Sequence, residues 1–270
     1  MRSPLVSLAI PSGSSSVRFP SVLDALRSYL GLAVFAIMGL AWTPPALLLG
    51  ALLPPRAAHA VGRAVIHAGF RAYLGLLRRI GACRFDLSAL DDLRDQGPMI
   101  LAPNHPSLID AVLVLSRLSG PTCVMKAGLL ANPVLGAGAR LAGYIPNDDL
   151  RRMIELAVAE LRAGSSLLLF PEGTRSSAEP IGPIRGMVAL IAKQAAVPVQ
   201  TVLIEADSPF LGKRWALREV PRLPIRYRVR LGRRFDPPRH AQDFVQELDA
   251  YFREALGGAA GAPPDPPSRA

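Results

Sequence analysis

Apolar and polar positions give the first part of this chain two different rhythms. Residues 30–55 contain no charged side chain, a run long enough to cross a bilayer core of about 30 Å as one helix. Pro44 and Pro45 are expected to cut it, leaving 30–43 with about 21 Å of helix and 46–53 with less. Three geometries fit: one kinked spanning helix, a re-entrant helical hairpin, or a core helix followed by a turn. Over 57–80, Val61, Val65, Tyr73, Leu74, Leu76 and Leu77 recur among arginines. That pattern predicts a basic amphipathic helix, lying on an anionic membrane face or packing on a domain.

Beyond residue 80, short apolar runs alternate with longer helical patterns. Strands are predicted at 84–90, 98–102, 122–125, 166–170, 200–205 and 225–231, and helices at 111–118, 135–142, 149–163, 184–195 and 240–256. Such interleaving predicts an α/β fold with a mixed or mainly parallel sheet, covered by helices on both faces and preceded by an N-terminal membrane-associated helical segment. In the last strand Ile225, Tyr227, Val229 and Leu231 alternate with Arg226, Arg228 and Arg230, so one face is cationic. The chain divides into a disordered leader (1–20), the apolar and basic helices (21–80, a membrane anchor or re-entrant hairpin), a globular domain (81–256) and a disordered Gly/Pro/Ala tail (257–270).

Charge narrows the partners. The 270 residues carry a formal charge of +10, which suits an anionic lipid surface, a phosphorylated substrate or nucleic acid. A mean hydropathy of +0.27 leans toward lipid, and nucleic acid is not expected, because an aromatic stacking platform and a recognisable binding motif are both missing. Lysine occurs only at Lys126, Lys193 and Lys213, so the positive charge is nearly all arginine, whose fork suits phosphate. Cys83 and Cys123 lack His or Cys neighbours at ligand spacing and read as small apolar residues; no metal is implied. Basic residues stand on both sides of the apolar run, Arg18 and Arg27 before it, Arg56, Arg63, Arg71, Arg78 and Arg79 after it. A hairpin with both ends cytoplasmic accommodates that arrangement better than a single span.

Two polar turns carry the chemistry. Asn104-His105-Pro106-Ser107-Leu108-Ile109-Asp110 follows the strand ending at Ala102, and Phe170-Pro171-Glu172-Gly173-Thr174-Arg175 follows the strand from Ser166. An aspartate five residues after a turn histidine can reach back to the imidazole, fix its tautomer and stabilise the imidazolium. The plain alternative is a capping box between Ser107 and Asp110. For Glu172 and Arg175 the plain alternative is a local salt bridge closing the turn.

Together, and in this order, the two blocks resemble the glycerolipid and lysophospholipid acyltransferase family, which includes the 1-acylglycerol-3-phosphate acyltransferases. The resemblance covers about 98–210, with Gly143-Tyr144-Ile145-Pro146-Asn147-Asp148 similar to the family's intermediate block and Val197-Pro198-Val199 to its last. It implies that 81–256 is an acyltransferase domain moving a fatty acyl group from a thioester, of coenzyme A or acyl carrier protein, to a lysophospholipid or related lipid. No cofactor beyond that co-substrate is implied. His105 is then the general base and Asp110 its orienting partner, with Asn104, Glu172, Gly173, Thr174 and Arg175 binding substrate, on the cytoplasmic face of a membrane. Backbone N–H groups at the start of the following helix are expected to serve the oxyanion.

One block departs from the family. Phosphatidate-forming relatives carry an arginine where this chain reads Asn147-Asp148-Asp149. Arg151, Arg152 and Lys126 are candidate replacements as acceptor contacts; the alternative is an acceptor other than lysophosphatidate, such as a specialised lipid. The cationic face of 225–231, with Lys213 and Arg214, suits an acidic carrier protein or the membrane. From other classes, a non-catalytic membrane scaffold and a thioester hydrolase are the rivals.

Overall fold

The computed structural model describes residues 20–176, 181–216 and 218–257. The expected leader apart from Pro20, and the expected tail apart from Gly257, lie outside them. Helices α1 (Val22–Leu52) and α2 (Pro55–Arg79) pack together as a hairpin. Ser21 and Asp24 open α1 with reciprocal bonds: Ser21 Oγ accepts from Asp24 N at 3.1 Å, and Asp24 Oδ2 from Ser21 N at 2.9 Å.

Pro44 and Pro45 do not cut the run; they lie inside α1. Two prolines cost a helix interior about 3 kcal/mol each, and close packing on α4 (Gly136–Leu141) offsets that cost. A Cβ on Gly39 would come within 2.3 Å of Val134 O, Trp42 packs on Gly138, and the Thr43 hydroxyl donates to Pro133 O at 2.8 Å. The break comes instead at Leu53-Pro54, where both residues are extended and Pro55 starts the next helix. Only 6% of the most apolar 18-residue window of α1 is buried. Val22, Leu26, Ile37, Leu48 and Leu52 are each more than half exposed, so α1 is not the core helix of the third geometry.

The amphipathic helix packs on the domain, burying Tyr73, Leu74 and Leu77. Arg63, expected among the flanking charges, is instead a clamp. Its side chain is 10% exposed, pairs with Glu160 at 2.7 Å and donates to Ala142 O at 3.0 Å.

Seven strands form one sheet: β1 (Cys83–Asp86), β2 (Ile100–Pro103), β3 (Thr122–Met125), β4 (Ile145–Pro146), β5 (Leu167–Leu168), β6 (Val199–Ala206) and β7 (Ile225–Phe235). Their order is β1-β7-β6-β2-β5-β3-β4, and β6–β7 is its antiparallel pair. The remaining helices are α3 (Asp110–Leu115), α5 (Leu150–Arg162), α6 (Met187–Ala195) and α7 (Ala241–Gly257). Period-two alternation sorts the strands onto two cores. Leu101, Leu168, Val202, Ile204, Tyr227 and Val229 face α2 and α3. Ile100, Ala102, Leu167, Leu169 and Leu203 face α5, α6 and α7. The mixed, mostly parallel sheet with helices on both faces is as expected.

Several bounds differ. The strand expected over 84–90 stops at Asp86, because Leu90 and Leu93, three apart and both buried, require the 3-10 turn Ser88–Leu93. The helix expected from Ile184 starts at Met187, since Arg185 N is held by Pro171 O at 2.7 Å. Strands β2 to β6 run parallel, so their C-terminal ends share one edge of the sheet. Both motif turns leave from that edge, where open α/β sheets bind ligands.

Candidate active site

His105 stands two residues beyond β2, on the turn into α3. Its Nδ1 lies 2.8 Å from Asp110 Oδ2, which also accepts Ser107 N at 2.7 Å. Asp110 thus both orients the histidine and closes back on the turn. The capping box is only half formed, because the Ser107 hydroxyl donates to Phe210 O at 3.0 Å. With the carboxylate accepting at Nδ1, the ring's lone pair is at Nε2. The Asp110 side chain is wholly buried while that of His105 is 16% exposed. Burial pushes the Asp110 carboxyl up from its ordinary value; the bonds from His105 and Ser107 pull the other way, and the Glu172 charge adds a smaller upward push.

The second motif holds the first in place. Glu172 is buried: Oε1 accepts His105 N at 3.0 Å and the Ser176 hydroxyl at 2.7 Å, and Oε2 accepts Gly182 N at 2.8 Å. Ser176 N in turn donates to His105 O at 2.7 Å. The Phe170 ring stacks on the imidazole, centroids 3.8 Å apart and planes at 22°. Gly173 turns the chain at φ +69°, a conformation that disfavours a side chain. No Glu172–Arg175 salt bridge closes this turn. Arg175 Nη1 donates to Leu211 O at 3.0 Å and Gly212 O at 2.8 Å.

Those carbonyls belong to a third segment that sequence reasoning missed. The loop after β6 meets both motifs, through Phe210 O on Ser107, Leu211 O on Leu108 N at 3.1 Å, and Leu211 and Gly212 on Arg175. Its composition marked only Lys213 and Arg214, as part of a cationic surface, and not the carbonyls that meet the motifs. Phe170 was read as the first residue of the second block, without a role for its ring.

Other expected site residues fall in different places. Asn104 is buried and its amide mimics a peptide, donating to Ile204 O at 2.9 Å and accepting Ile204 N at 2.7 Å. Both of its polar atoms therefore serve the β2–β6 junction. Gly173 and Thr174 are exposed beside His105's turn. Lys126 and the Asn147–Asp149 block lie at the same sheet edge, at the ends of β3 and β4, two and three strands from β2, or roughly 10 and 15 Å at ordinary strand spacing. Arg151 is 90% exposed and paired with Glu155 at 3.0 Å, and Asp149 caps α5 by accepting Arg152 N at 3.0 Å. Of the cationic face, Arg226 and Arg228 are exposed, Arg228 lies 3.7 Å from Asp86, and Arg230 pairs with Glu205.

The expected oxyanion donors are otherwise engaged. Ser107 N bonds Asp110, Leu108 N bonds Leu211 O, Ile109 N meets Ser107 Oγ at 3.4 Å and Asp110 N bonds Ser107 O. The helix starts at Asp110 rather than Ser107, so these N–H groups close the turn and do not open toward a ligand. Cys83 and Cys123 are buried free thiols, pushed up to about 12 by burial and so inert as nucleophiles.

The family model described as Acyltransferase matches residues 84–205. The lyso-ornithine lipid O-acyltransferase of Pseudomonas aeruginosa is 31% identical over 160 residues, 55% of this chain and 61% of that protein. The chloroplastic 1-acyl-sn-glycerol-3-phosphate acyltransferase BAT2 of Brassica napus is 30% identical over 129 residues, 44% of this chain and 36% of that one. The chain thus spans between about a third and three fifths of the length of these two relatives. A 1-acyl-sn-glycerol-3-phosphate acyltransferase of Pseudomonas aeruginosa is 24% identical over 87% of this chain and 92% of its own length. The fold is that of the 1-acyl-sn-glycerophosphate acyltransferase PlsC of Thermotoga maritima, with a TM-score of 0.69 and 16% identity over 90% of this chain and 98% of that one. The part that matches the Acyltransferase family model, residues 84–205, holds both motif turns and the strands that carry them.

Proposed function

We propose that this chain is an O-acyltransferase that moves a fatty acyl group from a thioester of coenzyme A or acyl carrier protein to a hydroxyl of a lysophospholipid or related lipid. The observation that carries the reading is the 2.8 Å contact of His105 Nδ1 with the fully buried Asp110. It directs the ring's basic Nε2 to the substrate. Nε2 takes the acceptor's hydroxyl proton as that oxygen bonds to the thioester carbonyl carbon. The tetrahedral intermediate then collapses, the C–S bond breaks, and the imidazolium returns the proton to the leaving thiolate. A serine nucleophile is not needed, and the hydroxyl of Ser107, on the same turn, is engaged as a hydrogen-bond donor to Phe210 O. With the start of α3 engaged, charge on the oxyanion falls to the exposed turn at Thr174 and to the Arg175 guanidinium.

The apolar outer face of α1, with Ile37, Leu40, Leu47 and Leu48 exposed, seats the chain on a membrane, the source of its lipid acceptor, and the site works on the cytoplasmic face. Asp148 and Asp149, together with an Arg151 turned to Glu155, favour an acceptor without a phosphate at that subsite. The lyso-ornithine lipid relative is consistent with such an acceptor.

The test is turnover of purified H105A in detergent, with acyl-CoA or acyl carrier protein thioester and mixed lysolipids. A fall of about a thousandfold with unchanged folding is expected. Retention of more than a few per cent of activity would remove the histidine from the mechanism, and thioester loss without acylated lipid would make the chain a hydrolase.

A further inference from the structure

Among the described residues, one part of the sheet is left uncovered. Helices α5, α6 and α7 bury one side of the central strands, but of β7 their core takes in only Phe235, and of β1 nothing. The side of β1 and of the first half of β7 that faces away from α2 is therefore open, and it is lined with charge. Arg84, Asp86, Arg226 and Arg228 are exposed there, with Glu205 and Arg230 half-buried beside them. The acids are already engaged: Asp86 lies 3.7 Å from Arg228, Glu205 pairs with Arg230, and Asp207 accepts the backbone N–H of Arg226 at 2.8 Å. Arg84 and Arg226 are left over. They are register partners on the parallel pair β1–β7, so their side chains leave one face side by side, and neither guanidinium has a hydrogen bond or ion pair among the described residues. Like charges placed opposite each other cost stability, and an anionic partner that takes both relieves it.

Two placements choose that partner. Phe85, Tyr227 and Val229, which alternate with these arginines, share a core with Tyr73 and Leu77 of α2 and Phe35 of α1. The hairpin that presents the apolar face of α1 thus lies on the other side of the sheet, and the arginines point away from the membrane it meets. The patch also stands at the catalytic edge. From Asp207 the chain runs through Phe210, Leu211 and Gly212 onto both motif turns, and β7 is two strands from β2, or roughly 10 Å. Exposed Lys213, Arg218 and Arg222 extend the charge along the same connection. We infer that the arginine face of β1 and β7 is the docking surface for an acidic carrier protein that delivers the acyl thioester. This deepens the acyltransferase reading and rests on it. A protein donor must seat beside the site while its flexible arm carries the thioester to His105. Arginine forks on rigid strands suit the carboxylates of such a partner and steer its approach.

The experiment compares wild type with R84E/R226E, and with R84Q/R226Q as the milder change, using acyl carrier protein loaded with a fatty acyl thioester and the matching acyl-CoA. Expected is a KM for the carrier thioester raised about tenfold at low salt and converging on wild type at high salt. Turnover of acyl-CoA and vesicle flotation stay unchanged, and the glutamine pair melts no lower than wild type. An equal loss with acyl-CoA would give the arginines to the coenzyme's phosphates, and lost flotation would give them to the membrane. Unaltered carrier kinetics, or a wild type that uses acyl-CoA alone, would leave the face to solvent; each of these results overturns the proposal. Binding of the loaded carrier protein to wild type and R84E/R226E, followed by fluorescence anisotropy, needs no turnover. If wild type transfers no acyl group the acyltransferase reading falls, and that titration still decides the docking face.

Discussion

Glu172 accepts the backbone N–H of His105 at 3.0 Å, so the acidic residue of one motif fixes the main chain of the other. With Ser176 N on His105 O, both backbone groups of the histidine are held from the second turn. The two blocks are thus one mechanical unit, and the spacing of sixty-odd residues between them reflects only the crossover through β3, β4 and α5.

The first prediction follows from that tie. Glu172→Gln places an amide N–H₂ among donors, against Gly182 N or the Ser176 hydroxyl, and is expected to cost about 3 kcal/mol of stability while lowering kcat with every acceptor alike. Urea unfolding and steady-state kinetics check it. A variant as stable as wild type, with a raised KM for the acceptor alone, would make Glu172 a substrate ligand.

How much of this was legible in the sequence depends on the range of each contact. His105 and Asp110 are five apart on one turn, and their pairing could be read from spacing because local geometry leaves little choice. The role of Glu172 could not. A carboxylate near a histidine either meets a ligand or ties a loop, and which it does depends on burial, which depends on where Gly182 lies. The bonds of Asn104 were hidden for the same reason, as its partner Ile204 is a hundred residues away. The prolines of α1 failed as breaks because tertiary packing by Gly39, Trp42 and Ala46 overrode local propensity.

A second prediction concerns pH. Because burial raises the Asp110 pKa in the fold, Asp110 contributes stability fully only below the ordinary aspartate value of about 3.9, and that contribution is lost as pH rises through the folded value. Asp110→Asn carries no such loss. The stability of D110N relative to wild type is therefore expected to rise with pH, although the variant turns over slowly. Melting curves of both proteins from acid to neutral pH give the sign. Wild type gaining on D110N would mean that the bonds from His105 and Ser107 outweigh burial.

Membrane seating is the third. Removing residues 1–56 would strip α1 from Leu77, Val134 and Gly138, which it covers, so truncation is a poor test. Substituting the exposed Ile37, Leu40, Leu47 and Leu48 with serine keeps those contacts. Loss of four large apolar side chains, at about 1.5–3 kcal/mol each when buried, is expected to shift the protein from the vesicle fraction to the supernatant on flotation. Undiminished flotation would move the membrane contact elsewhere.

The last prediction is the acceptor. Asn147 Oδ1 accepts Ala127 N at 3.2 Å, Asp148 Oδ1 accepts Asp149 N at 3.1 Å and Asp149 caps α5. The block is thus built for local closure, with Arg151 drawn away by Glu155. Given lysophosphatidate, other lysophospholipids and non-phosphorylated lipids, the wild-type chain is expected not to favour lysophosphatidate. Replacing Asp148, which caps no helix, by arginine is expected to improve phosphate-bearing acceptors by about ten- to a hundredfold in binding, the yield of one charge-assisted bond. The same change at Asp149 would cost about 1 kcal/mol of helix capping and confuse the comparison. Arg175→Ala is the control with the opposite expectation: it frees Leu211 and Gly212 from the second motif and lowers transfer to every acceptor, phosphorylated or not. If wild type prefers lysophosphatidate and R175A loses that preference alone, Arg175 is the phosphate ligand, and the acidic block says nothing about the acceptor.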